Sequence, residues 1–131
     1  MPLDAVYSSP SVRCSSLAAY ISRQVIFDKR LQEVNFGLWE GRSWDSIRPE
    51  ELNRWMEDFV YRCPPEGESL VQMNDRVISF WNELQQHPYQ KTAIVTHAGV
   101  IRLIIAAVNQ IPLPSVFDTK VDYGEVIRLE C

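Results

Sequence analysis

The sequence has little cysteine and histidine, and it lacks any long hydrophobic run. Its three cysteines, Cys14, Cys63 and Cys131, are widely spaced and never form a CxxC pair. This usage argues against a disulfide framework and favours a reducing, cytoplasmic setting. His87 and His97 have no third ligand at zinc spacing, so we expect no metal and no cofactor. No apolar stretch approaches the roughly 18 residues of a membrane span, so we expect no membrane partner.

Charge and composition favour a globular domain that acts on a small molecule. The 131 residues include 13 Lys and Arg against 17 Asp and Glu, a net charge of −4, and 46% are hydrophobic. Because the chain shows no repeat or linker, we expect a single domain over residues 1–131. Mild acidity argues against a nucleic-acid partner. A nucleotide-binding protein is a weak alternative, since neither GxxxxGK[ST] nor GxGxxG occurs.

Strand and helix patterns alternate along the chain. Short apolar, β-branched runs predict strands, and apolar residues at three- and four-residue intervals predict helices. The predicted strands are Ala5–Tyr7, Val25–Phe27, Lys91–Thr96 and Glu125–Leu129; the predicted helices are Ser11–Arg23, Glu50–Tyr61, Ser69–Gln86 and one from Ala98 to about Asn109. This order predicts an α/β fold, a three-layer sandwich with a mainly parallel sheet flanked by helices.

Two predicted strand-to-helix junctions carry residues suited to an anion. Arg13 follows the first strand, and His97, Ala98 and Gly99 follow the strand that ends at Thr96. Helix N-termini present unpaired N–H groups, and small residues let a ligand approach the backbone. The planar guanidinium suits oxyanions, so the pair suggests a phosphate or carboxylate pocket. The alternatives are an ordinary surface arginine and a histidine that is satisfied at a strand end.

Two carboxylates in predicted loops are candidates for acid–base work. Glu33 lies in the stretch LQEVNFG, and Glu68 lies in the stretch PPEGES. A partly desolvated carboxyl group near a phosphate has a raised pKa, as a general acid requires. The alternatives are a solvated loop acid for Glu33 and, for Glu68, an acid that only complements the helix dipole.

Four motifs cover nearly the whole chain in the order DAVYSSPSVRC, LQEVNFGLWEG, PPEGES and AIVTHAGVIR. Together they resemble the histidine phosphatase superfamily, the phosphoglycerate mutase-like phosphatases. The stretches EVNFGLWEGRSWDSI and VDYGEVIRLE look most like the alpha-ribazole phosphatases of cobalamin synthesis. Phosphoglycerate mutases have a longer insertion after the WEG turn, so a mutase is the weaker alternative.

The resemblance implies a role for each candidate residue. Arg13 would be one of two arginines that grip the phosphoryl group, and His97 would hydrogen-bond its oxygens. Glu33 would give a proton to the leaving alkoxide and then activate water, while Glu68 would form the pocket wall. The implied reaction is hydrolysis of a small phosphorylated substrate through phosphohistidine, with alpha-ribazole 5′-phosphate as a candidate.

One motif of the family is absent. Its members open with a strand that ends in Arg-His-Gly, whose histidine attacks phosphorus, and no such triplet occurs here. We therefore expect an N-terminally incomplete domain in which the strand Lys91–Thr96 has an unpaired edge. Such an edge invites pairing with another chain, so a homo-oligomer is one expectation. The alternative function is a truncated, catalytically inactive phosphate-binding or interaction domain.

Overall fold

A three-stranded parallel sheet lies at the centre of the computed structural model, which describes residues 3–130. The strands are β1 (Ala5–Ser8), β2 (Ile26–Phe27) and β3 (Thr92–Val95), in the order β2-β1-β3. The helices are α1 (Val12–Ile21), α2 (Pro49–Glu57), α3 (Leu70–Gln85) and α4 (Ala98–Asn109); short 3₁₀ turns cover Lys29–Leu31, Gly37–Trp39, Trp44–Ser46 and Leu113–Asp118. The predicted α/β fold with a parallel sheet is confirmed.

The two faces of β1 pack against different helices. Successive strand residues point to opposite faces, so Val6 joins Ala18 of α1 on one side. On the other side Tyr7 contacts Phe80 of α3 edge to face, with ring centroids 5.3 Å apart, in a core shared with α4. The sheet therefore has helices on both faces, which is the predicted three-layer arrangement.

Helix α3 begins at a capping box and buries one face. The Ser69 hydroxyl accepts a hydrogen bond from the Gln72 N–H, and the Gln72 side chain accepts one from the Ser69 N–H. Its buried residues are Leu70, Met73, Val77, Phe80 and Leu84. The apolar spacing in the sequence predicts a buried stripe of Leu70, Met73, Val77, Trp81 and Leu84. The structure buries Phe80 in place of Trp81, which is half-buried at the margin of the core.

Two sequence predictions about packing and strands are wrong. The sequence predicts an apolar side of α1 formed by Val12, Leu17, Ala18 and Ile21. Of these Ala18 is buried as predicted, but Val12 is 80% and Leu17 53% accessible, and Cys14 is buried as well. Small side chains allow α1 to lie close to the sheet, which a hydrophobicity pattern does not reveal. Residues 125–129, predicted as a strand, are irregular. Within residues 3–130 they do not pair with any strand, and a strand needs a partner for its backbone groups.

Strand β3 lies at the edge of the sheet. Among residues 3–130 it pairs only with β1, so the open edge expected for this strand is present. In the same part of the chain, no helix is both long enough and apolar enough to cross a membrane.

Candidate active site

The carboxyl ends of β1 and β3 bring two helix N-termini side by side. The strands are parallel neighbours, with Ser8 opposite Val95, so the chain leaves both at the same edge of the sheet. Helix α1 then begins behind its N-cap Ser11, and α4 begins behind His97, whose side chain makes no capping bond. The N-terminal N–H groups of both helices therefore lie at this edge, where open α/β sheets bind their ligands.

The imidazole of His97 packs against the start of α1. Its Nε2 atom lies 3.0 Å from the Ser9 hydroxyl, 3.5 Å from the Ser11 hydroxyl and 3.7 Å from the Cys14 sulfur. Ser9 is fully buried. The sequence marks Ser9 only as part of a helix start, so its contact with a histidine 88 residues away was missed.

The electrostatic surroundings keep His97 neutral near pH 7. Burial lowers the pKa of His97, and the positive charges of Arg13 and Arg76 act in the same direction. The carboxylate of Glu33 opposes them. An unperturbed histidine titrates near pH 6.5, and a pKa below that value leaves the ring uncharged at about neutral pH. A neutral imidazole has one N–H to donate and one nitrogen to accept.

Glu33 reaches the N-terminus of α4 from the loop after β2. One carboxylate oxygen, Oε2, accepts a hydrogen bond from the Gly99 N–H at 3.2 Å, and Oε1 accepts one from the Val34 N–H at 3.0 Å. A Cβ atom on Gly99 would lie 2.2 Å from Glu33 Oε1, so only glycine leaves room for this approach. The structure thus brings Glu33, His97, Ala98 and Gly99 together.

Glu68 is held by an arginine that the sequence reading missed. Arg76 donates from Nη2 to Glu68 Oε1 at 2.6 Å and from Nε to Oε2 at 3.2 Å. It also donates to the backbone carbonyls of Arg30 at 2.8 Å and of Glu33 at 3.1 Å. Arg76 therefore ties both acidic loops to α3. The sequence gives no local signal for this pair, because Glu68 precedes α3 and lies eight residues from Arg76, beyond the spacing of neighbouring helix residues.

The loops that carry Glu33 and Glu68 also bind each other through their backbones. The Glu68 N–H donates to the Asn35 carbonyl at 2.8 Å, and the Asn35 N–H donates to Glu68 Oε1 at 2.9 Å. A cavity of about 300 Å³ opens beside them, lined by polar and charged side chains that include Lys29, Glu33, Glu68 and Arg76. Within residues 3–130, no three His, Cys, Asp or Glu side chains are grouped to hold a metal ion.

Arg13 lies at the same edge but faces another partner. Its Nη1 donates to the Tyr123 hydroxyl at 2.7 Å, and its guanidinium carbon is 5.4 Å from the centre of that ring. Within residues 3–130 it makes no hydrogen bond to His97 or Glu33, although its charge influences the pKa of His97. The exposed guanidinium is therefore near the cluster without being joined to it.

Comparisons with known proteins agree on one family. Residues 1–131 match the sequence profile of the histidine phosphatase superfamily (branch 1). Phosphoserine phosphatase 1 of Hydrogenobacter thermophilus is 29% identical over 138 residues, which cover 98% of this chain and 65% of that protein.

Solved structures show the same likeness. The alpha-ribazole phosphatase of Shigella flexneri aligns with a TM-score of 0.82 and 30% identity, over 92% of this chain and 63% of that one. A mycobacterial glucosyl-3-phosphoglycerate phosphatase, solved in complex with inorganic phosphate, aligns with a TM-score of 0.74 and 25% identity, over 87% and 62%. This chain therefore spans less than two thirds of the length of each relative.

Proposed function

Since this chain belongs to the histidine phosphatase superfamily, we propose that its site binds the phosphoryl group of a small phosphomonoester and serves in its hydrolysis. The observation that supports this most directly is the meeting of Glu33 and His97 at the N-terminus of α4. A proton donor and an anion-binding helix end then lie within reach of one bound phosphate.

Each residue of the site has a chemical part in this proposal. The guanidinium of Arg13 and one N–H of the His97 ring hold phosphoryl oxygens, together with the backbone N–H of Ala98. Gly99, whose N–H is bonded to Glu33, lets the phosphate approach the backbone closely. Protonated Glu33 gives its proton to the departing alkoxide and, once ionised, takes a proton from the attacking water. Glu68, fixed by its ion pair, forms the wall beside the leaving group.

The covalent form of the reaction needs an additional imidazole. We propose that a phosphohistidine intermediate forms on the histidine of an Arg-His-Gly strand, a motif that this sequence does not contain. Of the two histidines present, His97 faces Ser9 through Nε2 and His87 stacks on Tyr89. We therefore expect the 131-residue chain to bind phosphate and to turn over little.

Alpha-ribazole 5′-phosphate is the substrate we propose first. The support is the likeness to an alpha-ribazole phosphatase, together with the EVNFGLWEGRSWDSI and VDYGEVIRLE stretches. Phosphoserine, named for another relative, is the comparison substrate in any assay. Because the two esters differ in the group that is attached to the phosphate, competition with bound inorganic phosphate compares their affinities for the site.

Binding of inorganic phosphate to the purified chain tests this proposal. Arg13→Ala removes charge-assisted hydrogen bonds worth about 1.5–3 kcal/mol, so we expect phosphate affinity to fall roughly 10- to 150-fold. Arg23→Ala is the matched control, because Arg23 is an exposed arginine just beyond α1. Calorimetric titration measures both, and equal affinities for the two variants would count against the site.

Turnover of p-nitrophenyl phosphate separates an enzyme from a binding domain. Measurable hydrolysis that Arg13→Ala abolishes would establish catalysis by this chain. Phosphate binding without any hydrolysis would support the alternative, a catalytically inactive phosphate-binding domain.

A further inference from the structure

The buried hydroxyl of Ser9 has a single acceptor for its proton. Ser9 is fully buried, and within residues 3–130 its Oγ contacts only two polar groups. One is the Ser11 N–H at 3.4 Å, which can only donate. The other is His97 Nε2 at 3.0 Å. A serine hydroxyl has one proton to donate and two lone pairs that accept, so among these two groups the hydroxyl can donate its hydrogen bond only to Nε2.

The opposite arrangement leaves a buried proton without a partner. If His97 carried its proton on Nε2 and donated it to Ser9, both contacts of the hydroxyl would be donors and the Ser9 proton would face no acceptor. Leaving a buried donor unsatisfied is costly, because the group has lost water and gained nothing. The arrangement in which Ser9 donates satisfies both groups.

We propose that Ser9 is a positioning residue that fixes His97 in the tautomer with its proton on Nδ1. Within residues 3–130, Nδ1 makes no hydrogen bond, so its N–H is available to an incoming anion, whereas Nε2 is held against α1. The consequence rests on the proposed function: Nδ1–H is then the atom that donates to a phosphoryl oxygen. Burial lowers the pKa of His97 and so preserves the neutral ring, in which Nε2 accepts a hydrogen bond and Nδ1–H donates one.

The tautomer can be measured directly because the chain has only two histidines. Long-range ¹H–¹⁵N correlation spectra of the ¹⁵N-labelled 131-residue chain distinguish a protonated from an unprotonated ring nitrogen, and exposed His87 serves as the internal reference. We expect His97 to be protonated on Nδ1 in the absence of any ligand. A ring protonated mainly on Nε2 would overturn the proposal without the need for any variant.

A pair of serine variants tests whether Ser9 is the cause. Ser9→Ala removes the donor, so we expect the Nε2–H form of His97 to rise several-fold. Ser8→Ala is the matched control, because Ser8 is equally buried and donates to the Ser9 carbonyl at 2.8 Å instead of to the ring. A folded Ser9→Ala chain with the wild-type tautomer, or an equal change in Ser8→Ala, would refute the role of Ser9.

Phosphate addition separates this inference from the proposed function. If His97 binds phosphate through Nδ1, its Nδ1 resonance shifts during titration with inorganic phosphate while Nε2 stays unprotonated. A wild-type chain with the Nδ1–H tautomer and no response to phosphate would contradict the proposed function and still support the part played by Ser9.

Discussion

Removing the guanidinium of Arg76 tests how the candidate site is held together. Arg76→Met keeps the apolar stem of the side chain and deletes every donor. Glu68 loses its ion pair, and the carbonyls of Arg30 and Glu33 lose their hydrogen bonds. Because Arg76 of α3 bonds to both acidic loops, we expect them to loosen together.

The expected cost follows from the burial of the pair. The side chains of Arg76 and Glu68 are 22% and 17% exposed. Breaking a fully buried pair costs about 3–5 kcal/mol, and an exposed pair is worth about 0–1 kcal/mol. We therefore expect Arg76→Met to lower the free energy of unfolding by about 2–3 kcal/mol, which is roughly 8–12 °C in Tm for a chain of this size.

Urea denaturation followed by tryptophan fluorescence measures this loss. Arg62→Met is the control, because Arg62 is half-exposed and lies 4.0 Å from Asp58, so we expect a loss below about 0.5 kcal/mol. Glu68→Gln completes a double-mutant cycle with Arg76→Met, with an expected coupling of about 1–3 kcal/mol. If Arg76→Met cost no more than Arg62→Met, the ion pair would not be what holds the loops.

Two further predictions concern pH and backbone conformation. Because burial lowers the pKa of His97, its contribution to stability is full above the unfolded pKa of about 6.5 and falls as the pH drops toward the folded pKa. We expect His97→Gln to flatten this pH dependence in acid denaturation curves and the control His87→Gln to leave it unchanged. Equal slopes for the two variants would contradict the reasoning. Gly37→Ala places a Cβ 2.1 Å from the Pro65 carbonyl oxygen at a φ of +59°, so we expect it to lower the free energy of unfolding by about 3 kcal/mol. Gly41→Ala has a φ of +74° but open space around the Cβ, so we expect a loss of about 1 kcal/mol. Urea denaturation curves that give equal losses would refute this difference.

Local patterns in the sequence were enough to predict most of the fold. The apolar repeat from Leu70 to Leu84 marks α3, because its spacing acts within one helix. The β-branched run before His97 marks β3 in the same way. The helix starts after Ser9 and Thr96 predicted where an anion would bind, since strand ends and helix N-termini are local features.

Contacts between distant segments could be decided only by the tertiary structure. The hydrogen bond between Ser9 and His97 and the approach of Glu33 to Gly99 each join residues more than 60 positions apart. No periodicity encodes such pairs, because they depend on which strands are neighbours.

The outcome at the chain's last predicted strand has the same physical origin. Residues 125–129 carry a strand-like pattern, but a strand forms only where another offers its backbone groups, and the described residues offer none there. The sequence by itself determined the predicted helices and three of the four predicted strands. The packing of the sheet and helices decided which of those residues meet, because burial and hydrogen bonding depend on neighbours that lie far apart in the chain.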